Sequence, residues 1–471
     1  KLSPATLDNI FSNVVQLLDE QLDPEMTESI FECLEDLIEF FVKFGKALPL
    51  SPSGTLSSNT TDVYNPLSVP VVEQIVHRLY NAAKKELVHV EHRLKKTQSS
   101  TFVPDVDLYE MVSQEDASRQ MLGRVASVCA RLMQHKPTEI MGEMAAMLQV
   151  FSDLCHIENS VLASFIQQDP MVVLDFSDRD FFIDPALCFF CDLVEHYGRL
   201  TQTNNVYETR ERTQMIIKLL STQLGQEESW PKFILQQFVI FCEYLPTANT
   251  QQASIYGLGM FVLAFIGVDN LLTKDIFEEV IRTILRTIDA THQDDAFEFV
   301  HDNAVSTLAR VICMCAKTHK KSEFGKTLTK LSDNHDAKMF CPLNFDQDFD
   351  PNSVDIHFAS LIDILLSFLP IEKDEDESVP VLLAICNFFR FNVTRQVIMA
   401  SLDRLEAIIN FLLSPKYGMG TKWSNGAANN SILQVILELH QSMATNQLSN
   451  NFKYQHLIEQ NKQKYFKIFY K

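Results

Sequence analysis

Cys188 and Cys191, three positions apart in Cys-Phe-Phe-Cys, come nearest in type and spacing to reactive chemistry. That spacing suits half of a structural zinc site or a dithiol redox centre. A structural zinc ion needs four ligands; no second matched pair lies nearby, and His196 does not complete the set. Cys313 and Cys315 raise the same question and receive the same answer: two thiols on an apolar helix. The 13 histidines are dispersed, and no Gly-rich phosphate loop, His-Glu-x-x-His or nucleophile beside a plausible base occurs. The chain is therefore expected not to be an enzyme and to need no metal or cofactor.

The polar groups that do come in patterns are carboxylates. Glu32, Glu35, Asp36 and Glu39 cover one face of a segment whose apolar residues Ile30, Leu34, Leu37, Ile38 and Phe41 take another. Asp192 and Glu195 follow the cysteine pair, Asp302 and Asn303 stand together, and Asp374, Glu375, Asp376 and Glu377 form a run. The formal charge of −21 argues against phosphate binding, which needs a basic surface, so no direct nucleic-acid ligand is expected. An acidic surface instead favours basic protein partners and speeds their encounter.

These residues must be positioned by helices. Of 471 residues 46 % are hydrophobic and only 13 are Gly, a composition that favours helices over sheet or disorder. Apolar residues recur at helical spacing in paired segments. Pairs are expected at 7–19 with 24–44, 109–134 with 139–155, 231–244 with 250–266, 274–288 with 297–316, and 354–368 with 375–391. Single helices are expected at 70–96, 185–197, 213–224, 401–413 and 430–443. Loops are expected at 48–66 and 97–108, and a basic, aromatic tail runs from 451 to 471. Small residues Ala253, Gly257 and Gly259, then Ala304, Ser306 and Ala309, mark seams where helices come close. Gly within a helix costs about 1 kcal/mol relative to Ala, so such positions need a packing reason. Two helices per repeat, with successive second helices about 45 to 80 residues apart once insertions are counted, fit an all-α solenoid of HEAT or armadillo type. The longest nearly uncharged apolar run, 256–268, is too short to span a bilayer, no secretory signal is expected, and the ten cysteines read as buried thiols in a reducing compartment. A first residue other than Met points to a fragment.

Four blocks carry a resemblance. Phe299-Val-His-Asp-Asn-Ala-Val-Ser-Thr-Leu-Ala-Arg-Val-Ile312 is similar to the importin-beta-type helix Glu-Asn-x-x-Ser-Ala-x-Gly-Lys. Phe368 to Val379 looks like the family's Leu-Pro followed by an acidic helix start. Leu187 to His196 resembles its helix ending Asp-Val-Ile-Glu-His, and Ala253 to Gly259 its Ala-Ala-Tyr-Gly-Leu-Gly. In this order and spacing the chain resembles the C-terminal half of an importin-five-like member of the importin-beta (karyopherin-beta) superfamily. Relatives carry a strongly acidic segment near 97–108, which this chain lacks.

The resemblance implies a HEAT-repeat nuclear transport receptor over residues 1–450, shuttling between cytoplasm and nucleus. Its implied partners are basic cargo such as ribosomal proteins or histones, Ran-GTP with its main contact outside this chain, and Phe-Gly nucleoporins. It implies that second helices line a concave face, where Glu32, Glu35, Asp36, Glu39, Asp192 and Glu195 would meet Lys and Arg of a cargo. The plainer reading of each is a solvated helix face. Asp302 and Asn303 match the family's Glu-Asn pair; they would hold an extended peptide or tie their own helix to the next repeat. The run Asp374–Glu377 would cap its helix or bind a ligand. The same helices would also serve a HEAT-repeat scaffold of a non-transport complex.

Overall fold

A computed structural model describes residues 4–18, 24–44, 69–98, 106–135, 138, 140–168, 183–201, 215–216, 230–243, 247–265, 271–272, 274–318 and 355–444. Every regular element among them is a helix. In order they are α1 (Pro4–Leu17), α2 (Pro24–Phe44), α3 (Val69–Gln98), α4 (Val106–His135), α5 (Met141–Gln168), α6 (Ile183–Thr201), α7 (Trp230–Glu243) and α8 (Ala248–Phe265). Then come α9 (Lys274–Thr291), a short 3-10 turn (Asp295–Phe297), α10 (Glu298–Thr318), α11 (Asp355–Ser367), α12 (Glu375–Phe388), α13 (Asn392–Ala400), α14 (Leu402–Leu412) and α15 (Gly426–Ala444). The expected loop at 48–66, the tail from 451 and nearly all of the expected helix at 213–224 lie outside the described residues.

The chain forms two compact units, Lys1–Gly257 and Leu258–Lys471. In the first, α1 packs on α2, α3 on α4 and α5 on α6. Two ladders join these hairpins: α1 to α3 to α5, and α2 to α4 to α6. Each helix thus buries one face within its hairpin and another against the next. In α4 the buried residues Leu122, Val125, Ala126, Val128, Cys129, Leu132 and Met133 span more than a single stripe. Phe151 of α5 stacks on Phe189 of α6 at 4.6 Å, and Phe190 meets Phe233 of α7 edge-on. Such aromatic pairs add about 0.5–1.5 kcal/mol beyond their buried area.

The hairpin partners of α4 and α5 differ from the sequence expectation. The short link at 136–140 looked like a hairpin corner, but α4 packs on α2, α3 and α6, and α5 on α3 and α6. A short connection brings helix ends together without dictating which apolar faces meet.

In the second unit, α9 buries Phe277, Val280, Ile281, Ile284 and Ile288 at helical spacing and packs on α10. α10 is nearly all core: among residues 300–309 only His301 is not buried. It also contacts α11, α12 and α13, while α12 continues to α15 and α11 packs on α13 and α14. Nine-residue α13 was not expected; Val393, Val397 and Ile398 supply its buried side. The small positions do bring elements together. A Cβ on Gly257 would lie 2.4 Å from the ring of Phe238, and one on Gly259 would lie 3.0 Å from the Thr307 side chain.

Candidate carboxylate rows along the helix seams

The first row lies on α2. Glu28, Glu32, Glu35 and Glu39 recur at intervals of four, three and four, so they share a face. From α4, Arg124 Nη2 donates to Glu28 Oε1 at 2.7 Å and to Glu32 Oε1 at 3.0 Å. One helical repeat of seven residues later, Arg131 Nη1 lies 3.8 Å from Glu39 Oε2. The Glu28 hydrogen bond and the charges of Glu28, Glu35 and Glu32 hold the Arg124 guanidinium above its ordinary pKa against the cost of burial. Glu28 and Glu32 side chains stay 51 % and 59 % exposed, so water screens these pairs and each is worth about 0.2–1 kcal/mol. Glu35 Oε1 is buried with no hydrogen-bond partner. Asp36 is exposed at the edge of the row.

The second row lies on α6, where Asp184, Cys188, Asp192 and Glu195 follow at helical intervals. Thr250 at the start of α8 donates its hydroxyl to Asp184 Oδ1, the Cys191 thiol donates to the Ala253 carbonyl at 3.3 Å, and Tyr256 Oη donates to Glu195 Oε2 at 3.5 Å. Burial, then the negative charge of Glu195, push the Asp192 carboxyl up to about 7. Burial pushes Asp184 up to about 6 despite the Thr250 hydrogen bond and the nearby Arg119 charge. Cys188 reaches the surface and Cys191 is buried, yet burial raises both thiols, Cys188 to about 11. Burial, followed by neighbouring thiols and carboxylates, raises the Cys191 pKa well above that of a free thiol. A thiol so placed stays protonated and is a poor nucleophile or ligand. Among the described residues no group of three or more His, Cys, Asp and Glu is placed to hold a metal ion.

The third set joins α10 to the start of α12. Asp302 Oδ2 accepts from the backbone N–H of Lys373 at 2.7 Å and of Asp374 at 2.8 Å. Asn303 Nδ2 donates to the Phe299 carbonyl at 3.0 Å and to Asp374 Oδ2 at 2.6 Å. Asp374 caps α12, its Oδ1 accepting from Asp376 N–H at 3.1 Å. One turn further on, Ser306 and Arg310 both donate to Glu377 Oε2, and Lys373 Nζ pairs with Glu298 at 2.7 Å. Asp302 and Asn303 are each 4 % exposed, Ser306 0 % and Glu377 7 %. Burial raises the Asp302 pKa and the backbone hydrogen bonds oppose it. Of the two roles open to Asp302 and Asn303, the geometry is the tie to the next helix. Of the acidic run, Asp374 is the cap, Glu377 is the buried acceptor, and Glu375 pairs with Lys422 at 2.5 Å.

The arginines were missed from sequence. Arg124 and Arg131, seven apart on one helix, carry a visible spacing, but nothing local says which helix they meet. Arg404 is similar: it grips Asp363 of α11 through two bonds of 2.6 and 2.7 Å. In each case the partner lies more than 40 positions away.

No protein-family model matches the chain, and no curated protein matches it. Among solved structures, the crystal structure of an engineered protein aligns with 93 % of this chain and 96 % of its own, at 13 % identity and a TM-score of 0.17. A score that low establishes no shared fold. No single described helix is long and apolar enough to cross a membrane. Among the described residues, the chain is a set of helices packed in neighbouring pairs.

Proposed function

We propose that the chain is a HEAT-repeat α-solenoid from a nuclear import receptor of the importin-beta type, and that it acts by binding and not by chemistry. The observation that carries the solenoid reading is the double ladder of the first unit, α1–α3–α5 beside α2–α4–α6, in which hairpins stack on their neighbours. The import reading rests on the four sequence blocks and on an acidic balance of −21. Basic cargo, of the ribosomal-protein or histone kind, would meet the partly exposed carboxylates Glu32, Glu35, Asp36 and Glu39, with Asp192 and Glu195 as a second patch. Asp302 and Asn303 are buried in the tie to α12 and take no part. Ran-GTP would release the cargo, Phe-Gly nucleoporins would carry the complex through the pore, and the protein would shuttle between cytoplasm and nucleus. Charge-assisted hydrogen bonds make such recognition strong and directional.

A scaffold subunit of a non-transport complex is the second reading. It is favoured by the use of Arg124, Arg131 and Arg310 to brace the helices against one another. Import of a labelled Lys-rich protein into permeabilised nuclei separates the two. A receptor in its full-length form drives accumulation that GTP-locked Ran abolishes; a scaffold leaves import at background with or without Ran.

A further inference from the structure

The seams between successive hairpins are charged in two different ways. Between α2 and α4 the contacts of Arg124 with Glu28 and Glu32, and of Arg131 with Glu39, all open to solvent, the two arginine side chains being 31 % and 40 % exposed. Between α10 and α12 one exposed pair, Lys373 with Glu298, flanks a withdrawn network: Arg310 is 13 % and Glu377 10 % exposed at the side chain, and Asp302 and Asn303 beside them are buried. The second seam also uses neutral donors, Ser306, Asn303 and two backbone N–H groups, whose bonds do not depend on mobile ions. Salt at physiological strength screens exposed charges beyond about 8 Å and leaves buried pairs largely untouched.

We infer that the α2–α4 seam is an ionically controlled joint, loosening as ionic strength rises or as a polycation takes the α2 carboxylates, while the α10–α12 seam is a fixed joint. Glu28, Glu32, Glu35 and Glu39 outnumber Arg124 and Arg131, so a cationic segment has exposed intramolecular pairs to displace. In α10 and α12 a cation from outside finds Glu377 already shared by Arg310 and Ser306 and closed to solvent. Ionic conditions thus act on the α2–α4 seam and leave the buried network between α10 and α12 in place. The inference concerns the protein alone and stands whether or not the import reading holds.

The test is hydrogen exchange of the whole chain, read by mass spectrometry on peptides from α2, α4, α10 and α12, in low salt and in high salt. Opening of α2 and α4 is expected to rise about three- to tenfold in high salt, the scale of a few exposed pairs, with α10 and α12 changed less than about twofold. Arg124→Met with Arg131→Met should raise low-salt exchange in α2 and remove its salt response. Glu28→Gln with Glu32→Gln and Glu39→Gln, which removes the same pairs from the other helix, should do likewise. Equal salt responses at both seams, no response at α2, or a full response in the variants would overturn the inference.

Discussion

The side-chain amide of Asn303 donates to the Oδ2 of Asp374 at 2.6 Å, joining residues 71 positions apart across two helices. That bond fixes the residue that caps α12, so the start of one helix is set by a side chain buried in another. Beside it Asp302 takes the N–H groups of Lys373 and Asp374, two donors in the approach to the helix.

Asp302→Ala takes the acceptor from both N–H groups at this half-buried junction. The expected loss is about 1–3 kcal/mol for the unsatisfied donors. Urea unfolding followed by circular dichroism measures it, and hydrogen exchange should place the added opening in the first turn of α12. Wild-type stability in the variant would show that the tie is dispensable.

Arg310→Met leaves Glu377 buried with Ser306 as its remaining donor from α10. Removing one partner of a buried pair costs about 3–5 kcal/mol, whereas replacing both by apolar residues of similar volume is often neutral. The double variant Arg310→Met with Glu377→Met should therefore recover most of the loss. A double-mutant cycle reads the coupling directly; additive losses would contradict the geometry.

Gly257→Ala brings a methyl group to 2.4 Å from two ring carbons of Phe238, well inside van der Waals contact. The ring sits in a closed core, so overpacking should cost about 1–3 kcal/mol. Pairing the substitution with Phe238→Leu should recover part of it, measured as the shift in thermal midpoint.

How far these contacts were legible can be judged from α8 and α10. Gly257, Gly259, Ala304 and Ser306 announced close approach because Gly and Ser in an apolar helix cost stability unless a neighbour needs the space. The helices themselves were legible from apolar spacing, as in α9. Pairing is legible only in part: α1–α2 and α9–α10 pack as expected, but the α3–α4 and α5–α6 hairpins depend on which wide apolar faces meet, and periodicity does not say which. α13 was lost because nine residues hold too few repeats to stand out. The carboxylates of α2 were seen as a row, but Arg124 lies 92 positions beyond Glu32, and charge pairing at that range leaves no local trace.

The α6 row gives a pH dependence of defined sign. Asp192 is raised from 3.8 to about 7 in the folded protein, chiefly by burial and then by Glu195. Its protonated form is favoured by folding, so the stabilisation is complete below about 4 and is lost as pH rises through about 7. Asp184, raised to about 6, acts in the same direction. Thermal midpoints should therefore climb between pH 8 and pH 6. Asp192→Asn should raise the midpoint at pH 8 and flatten this slope, which separates the local effect from the general relief of negative charge. An unchanged slope in the variant would contradict the assignment.

If the proposed function holds, the carboxylate face of α2 receives a basic protein segment. Fluorescence anisotropy of a labelled Lys-rich ribosomal-protein tail, titrated with this chain at low and physiological salt, tests it most directly. Saturable binding is expected, weakening with salt and weakening again when Glu32, Glu35, Asp36 and Glu39 are each changed to Ser. Absence of binding at low salt, or binding that the four substitutions leave intact, would contradict it.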